Sequence, residues 1–230
     1  MYRYETHLHT SPASGCARAS AAEAVAFYRE IGYAGIFITN HFIDGNIGCD
    51  RTLSYREKLD FYFADYYEAK KLESADFSVF LGVENTHGGS HFLIYGLEPQ
   101  WYYDHPDYPS MKKDDLLPLM QADGALVIQA HPFREASYIK HFSLFPRATH
   151  GVEIVNTSSK EEENQMAALY ADHYGLLHFA GSDNHDAGRK ALLGGVEFDS
   201  PLTSEADFVS RTLAGQAHPF VLKNPLLESN

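Results

Sequence analysis

At 230 residues, 44% apolar and 13% aromatic, the chain has the make-up of a folded protein of about one domain, which excludes disorder. A formal charge of −13, from 31 acidic against 18 basic residues, excludes general nucleic-acid binding, which needs a basic excess to neutralise phosphates. No apolar run approaches the roughly 18 residues of a membrane span, the first residues are polar rather than signal-like, and two cysteines, Cys16 and Cys49, are too few for a disulfide framework; a cytoplasmic protein with no membrane partner is expected.

Taken in chain order, short apolar or β-branched runs alternate with helical patterns. Strands are expected over residues 4–9, 35–39, 78–84, 91–95, 125–130, 151–155, 178–182 and 194–198. The continuous apolar runs among them, such as Ala125-Leu-Val-Ile-Gln-Ala130, suit strands covered on both faces. Helices are expected over 20–31, where Ser20 and Glu23 form a capping-box pattern ahead of Gly32, and over 52–73, 114–122, 159–174 and 204–213. The second of these carries an aromatic and aliphatic stripe of Leu59, Phe63, Tyr66, Tyr67 and Leu72, read as core packing. Residues 97–110, with Trp101, three tyrosines and three prolines, read as an irregular surface excursion whose aromatics pack down on the barrel or, as the lesser alternative, share in substrate binding, and residues 224–230 as a frayed tail. The alternation implies a mostly parallel α/β sheet, closed or nearly closed into a barrel, in one domain spanning 1–230.

The thirteen histidines are the anomaly of the composition, and their positions matter more than their number. Parallel-sheet proteins place their sites at strand C-terminal ends, and almost every expected strand delivers a metal-type ligand there. The first gives His7-Leu-His9, two residues apart and so on one face; the second runs into Asn40-His41; the third delivers Glu84; His91 opens the next; the fifth ends in His131-Pro132-Phe-Arg134; a later one reaches Asp183-Asn-His185. Each residue alone has an ordinary structural reading. Together, His7, His9, His41, Glu84, His91, His131, Asp183 and His185 bring many polar groups to one end of one sheet, an arrangement costly to bury unless cations are shared among them.

In this order the set resembles the PHP (polymerase and histidinol phosphatase) domain family, over nearly the whole chain from Tyr4 to about Gly195. The resemblance implies a distorted (βα)7 barrel with two or three divalent metal ions at its C-terminal face, and phosphoesterase activity. It implies that His7, His9, Glu84 and Asp183 hold one ion, that Glu84, His91 and His131 hold a second with Glu84 bridging, and that His41 and His185 belong to a third site. The chain departs from the family pattern twice. Residues 11–17 lack the Asp or His that completes the third site, leaving a water, Cys16 or a substrate phosphate to fill it, and Asn40 stands where Asp is common.

The expected chemistry is attack on phosphorus by a hydroxide shared between two ions about 3.5–4 Å apart, on a small phosphorylated metabolite. His185 or His41 would protonate the leaving oxygen if no third metal holds them, and Arg134 and Arg18 would orient the phosphate. An imidazole and carboxylate shell suits Zn, Mn or Fe. Glu153 is a candidate supporting partner for a ligand, and His87 a candidate substrate contact. Hydrolysis of a C–N or C–O bond and a non-catalytic metal-binding module are the alternative readings. Specificity is expected in loops 42–51, 97–113 and 134–145; the substrate and the oligomeric state are left open.

Overall fold

The computed structural model describes residues 1–137 and 139–227; residue 138 of the third expected specificity loop and residues 228–230 of the expected tail lie outside the described residues. The chain runs β1 (Tyr2–Leu8), α1 (Ala21–Glu30), β2 (Gly35–Ile38), α2 (Tyr55–Lys70), β3 (Ser78–His87), β4 (Ser90–Tyr95), α3 (Pro99–Asp104), α4 (Lys113–Ala122), β5 (Leu126–Ala130), β6 (Gly151–Asn156), α5 (Glu161–Tyr174), β7 (Leu177–Gly181), β8 (Leu192–Phe198), α6 (Glu205–Leu213) and β9 (His218–Lys223). Single 3-10 turns follow α3 and β7.

Local sequence sets the helix boundaries. Ser20 caps α1 in the expected box with Glu23. In α2 a second such box, Ser54 with Glu57, starts the helix three residues after the expected Thr52. Gly175 ends α5 in the left-handed region that glycine favours. The buried face of α2 is Leu59, Tyr62, Phe63, Asp65, Tyr66 and Ala69; of the expected stripe, Tyr67 is exposed because it falls off the 3.6-residue period of that face, and Leu72 because it lies in the turn past the helix end.

The strands form one sheet in the order β7-β6-β5-β4-β3-β2-β1-β8-β9, curled into a nearly closed α/β barrel. It is less parallel than the sequence suggests. β4 pairs antiparallel with both β3 and β5, and β8 antiparallel with β1 and β9. The cause of the first reversal is Gly88-Gly89, both at positive φ, which form a two-residue turn between the paired His87 and Ser90. Residues 85–90 are thus a hairpin rather than the loop expected there. It returns the chain at once, so His91 at the start of β4 lies beside Glu84 near the end of β3. The barrel closes at its mouth where the segment after β7 meets β1: His9 N–H donates to Asn184 O at 2.9 Å and Asn184 N–H to His7 O at 3.2 Å.

Inside the barrel Tyr4, Phe37, Phe80, Tyr95, Phe179 and Phe198 pack together, with Phe208 of α6 inserted among them; the Phe37 and Phe208 ring centroids are 4.3 Å apart. A second apolar layer lies between the sheet and helices α1, α2 and α4. Residues 97–110 are ordered into this layer rather than irregular, with Tyr102 and Tyr108 fully or nearly buried. Asn224, expected in the frayed tail, is buried and donates to Gly188 O and Lys190 O. Aromatic burial and one buried amide outweigh the loop-like composition of both segments. Among the described residues no helix is long and apolar enough to cross a membrane.

Candidate metal centre

The aromatic interior fills the barrel and leaves the polar cluster at the mouth. The register of β1 shifts between Glu5 and Leu8. Tyr4 can therefore pack inside the barrel while His7 and His9 reach the mouth and Leu8 packs outward. Gly181 of β7 faces the same strand, and a Cβ there would lie 2.5 Å from His7 Cβ and 2.6 Å from Glu153 Oε1. His131 and Asp183, just past β5 and β7, both have positive φ (28° and 52°). Non-glycine residues are held so only where the surroundings over-determine them, as at functional sites.

Glu84 is the centre of the cluster. Its Oε1 lies 2.8 Å from His91 Nδ1, 3.3 Å from His7 Nε2 and 3.3 Å from His131 Nε2. Its Oε2 touches His41 Nδ1 and lies 3.8 Å from His9 Nε2. Asp183 Oδ1 lies 3.2 Å from His9 Nε2, 3.6 Å from His7 Nε2 and 3.5 Å from His185 Nδ1. All eight ligand candidates named from the sequence thus come together. Ligand atoms within 4.8 Å of one another form four sets: His7, His9 and Glu84; His41, Glu84 and His91; His7, His131 and Asp183; and His9, His41 and His185. His131 falls in one of these sets with His7 and Asp183, and its Nε2 also lies beside the Glu84 oxygen that His91 meets, the pairing that the family resemblance implies.

The charge balance of the cluster follows from burial and neighbours. Burial opposes a charge on His7, but the Glu153 and Asp183 carboxylates outweigh it and hold its pKa well above the ordinary histidine value. His9 is equally buried, and the adjacent His41 and His185 imidazoles add to that burial, so its pKa is well below. Burial alone would raise Glu84 and Asp183; His91 and His41 around the first, and His7 and Arg134 around the second, hold both well below the usual carboxylate range. His131 is pushed down to about 4 by burial and by Arg134.

The donor set fits divalent cations on one observation. His7 Nε2 and His9 Nε2 are buried ring nitrogens without a hydrogen-bond partner, and His41 Nδ1 and Glu84 Oε2, which touch each other, do so without hydrogen-bond geometry; an unpaired buried group costs about 1–3 kcal/mol. His7 shows why neighbours do not satisfy them. Its Nδ1 lies 2.9 Å from Glu153 Oε1, an acceptor, so Nδ1 carries the proton. Nε2 faces the Glu84 and Asp183 carboxylates, whose charge is relieved either by the second proton that the raised pKa of His7 reflects or by a cation in its place.

Other sequence candidates fall differently. Arg134 lies at the cluster, but its Nη2 is engaged by Asp183 Oδ2 and Asn156 Oδ1. Arg18 does not reach the cluster; its side chain is 75% exposed and pairs with Asp186 at 3.4 Å. Cys16 lies on the wall of the open cavity over the cluster, with His41 and His185. Burial would raise its thiol pKa, but contacts with His185 and His41 bring it down to about 6. His87 lies outside that cavity and accepts from Lys113 N–H. Asp44 and Arg51, from the expected specificity loop 42–51, also line the cavity, together with Thr86; the sequence reading passes over Thr86, and over Ser14 and Asp65 beneath the cavity. Asp65 was detectable as the one carboxylate on the apolar face of α2.

No family model matches the sequence, and no curated protein matches it. Solved structures share its fold. A two-domain protein from Bacteroides vulgatus that contains a predicted PHP-like metal-dependent phosphoesterase superposes with a TM-score of 0.67 at 14% identity, over 95% of this chain and 64% of that one. This chain therefore spans less than two thirds of that protein. A proposed metal-dependent phosphoesterase from Bifidobacterium adolescentis gives 0.56 at 13% identity, covering 94% and 97% of the two chains. An amidohydrolase from Chromobacterium violaceum gives 0.53 at 14% identity, covering 99% and 100%. At these identities the likeness is one of fold.

Proposed function

We propose that the chain is a metal-dependent hydrolase, and specifically a phosphoesterase acting on a small phosphorylated substrate. The observation that carries the reading is the Glu84 carboxylate, met by five imidazoles (His7, His9, His41, His91 and His131), with unpartnered ring nitrogens of His7 and His9 buried around it. The fold shared with phosphoesterases of the PHP-like type supports it.

His7, His9, Glu84, His91, His131 and Asp183 would hold two ions, with His41 and His185 available to a third. Divalent Zn, Mn or Fe bound there would supply Lewis acidity and a water acidified toward neutral pH. The chain's own residues do the rest. Arg134 fixes Asp183 and presents its remaining N–H groups to the cavity, where a phosphate would be oriented. Where no third ion takes them, His185, on the cavity wall with a partly exposed ring, or His41 holds the proton for the leaving oxygen.

A second reading, hydrolysis of a C–N or C–O bond, is favoured by the fold shared with an amidohydrolase. Metal analysis of the purified protein, with aryl phosphate and aryl amide hydrolysis measured before and after chelation, separates the two. About two or more ions per chain and phosphatase activity lost on chelation and in His131→Ala would support the first. Amide cleavage without phosphatase activity would replace it, and a protein that takes up no metal would refute both.

A further inference from the structure

The hydrogen bonds beneath His9 form a chain in which the direction of every link follows from its ends. Its outer end is Asp65, a buried carboxylate on α2 that accepts from Asn40 Nδ2 at 3.1 Å and from the Thr10 hydroxyl. A carboxylate accepts only, so the NH2 side of the Asn40 amide must face it. Thr10 N–H, a fixed donor, meets the other side of that amide at 2.6 Å, which makes that atom Oδ1. The two contacts orient Asn40 independently and agree.

Ser14 comes next. Its Oγ lies 2.8 Å from Asn40 Oδ1 and accepts from His41 N–H at 2.9 Å. Asn40 Oδ1 cannot donate, so the Ser14 hydroxyl hydrogen points to it. The serine has one donor and two acceptor positions; its donor and one acceptor are now used. His9 Nδ1, 3.1 Å away, meets the remaining lone pair and must bring the hydrogen itself. The neutral His9 ring then carries its proton on Nδ1 and leaves Nε2 bare toward Asp183 and Glu84, 3.2 and 3.8 Å off.

We infer that Asp65, Asn40 and Ser14 are positioning residues that lock His9 into the tautomer able to bind a cation through Nε2. The inference rests on the metal-binding reading above for its purpose, though not for its geometry. It also accounts for asparagine at position 40. Aspartate there would place two carboxylates about 3 Å apart in a buried site, which like charges disfavour. The negative charge sits instead on α2, and the amide carries its orientation across to Ser14.

The test uses the full chain and zinc alone as the probe. In the metal-free protein, 15N NMR of the His9 ring reads the tautomer directly. The wild type is expected to show a protonated Nδ1 and a bare Nε2. Ser14→Ala should give mixed tautomers, with zinc affinity, measured by competition with a chromophoric chelator, down roughly 10–100-fold. Asn40→Asp should weaken zinc binding, and adding Asp65→Asn, which restores one amide and one carboxylate in exchanged places, should recover most of it. Melting of each variant without metal checks that it folds; should Ser14→Ala fail to fold, the wild-type tautomer and the exchange pair still decide. A wild-type ring protonated at Nε2, an unchanged tautomer in Ser14→Ala, or no recovery in the exchange pair would overturn the inference. If the protein takes up no zinc at all, the metal reading fails, while the His9 tautomer still decides whether the chain of hydrogen bonds acts as described.

Discussion

Arg134 Nη2 lies 2.6 Å from Asp183 Oδ2 and 3.0 Å from Asn156 Oδ1, so the arginine nearest the cluster is a clamp on one of its two central carboxylates. Asp183 turns its other oxygen to His7, His9 and His185. Loss of the clamp frees the carboxylate to rotate away from them. Arg134→Ala is therefore expected to lower kcat/KM on an aryl phosphate by about 100-fold, the scale on which a small misplacement of reacting groups acts. Arg18→Ala should leave it within about twofold, since an exposed pair with Asp186 contributes little. Equal losses in the two variants would contradict this division.

Gly181 is the second point of tight fit. A methyl group there would enter the space of His7 Cβ and the Glu153 carboxylate, both buried and both fixed by their own bonds. Gly181→Ala should destabilise the fold by about 1–3 kcal/mol, as over-packing does, read as a lower urea midpoint at unchanged slope. A midpoint equal to the wild type would mean that the β1–β7 seam has slack that the distances do not show.

The ends of the strands were the most legible part of the sequence, because a histidine or carboxylate after an apolar run is an oddity that composition alone exposes. The supporting residues were less so, for a physical reason. Ser14 and Asn40 act through hydrogen bonds between segments distant in sequence, and each is an ordinary loop residue when read alone. Glu153 was visible as a carboxylate inside an apolar strand, and Asp65 would have been on the same logic. The parallel sheet was over-read because the turn that reverses β4 is a two-residue Gly-Gly hairpin, easily taken for a loop. The small edge strand β9 was missed because its apolar run, Phe220-Val-Leu222, is only three residues long and follows Pro219, which argues against a strand.

Unpartnered nitrogens around Glu84 mean that a cation should stabilise the fold as well as enable chemistry. With free zinc or manganese at about 100 times the dissociation constant, linkage adds about 2.7 kcal/mol for one site, so the melting temperature should rise on metal addition and fall on chelation. His131→Ala, which removes a donor from one of the sets, should shrink the rise. A melting temperature indifferent to every divalent ion tried would mean that the cluster is satisfied without one.

Glu153 gives the sharpest contrast between charge and shape. Its carboxylate takes three donors: His7 Nδ1 at 2.9 Å on Oε1, and His131 N–H at 3.1 Å with Asn156 Nδ2 at 2.9 Å on Oε2. Glutamine has the same outline but only one accepting oxygen. If that oxygen serves the two donors on the Oε2 side, the NH2 group faces His7 Nδ1 and requires it to accept. His7, whose raised pKa depends first on the Glu153 charge, then becomes a neutral ring with its one proton on Nε2, where it points at Glu84 and blocks the lone pair a cation needs. Glu153→Gln should therefore weaken zinc binding roughly 10–100-fold, as loss of a ligand's hydrogen-bond partner does, and shift the His7 15N pattern to the opposite tautomer. The metal-free variant should still fold, because a protonated His7 Nε2 finds an acceptor in Glu84. Wild-type zinc affinity in Glu153→Gln would show that His7 is oriented by packing alone.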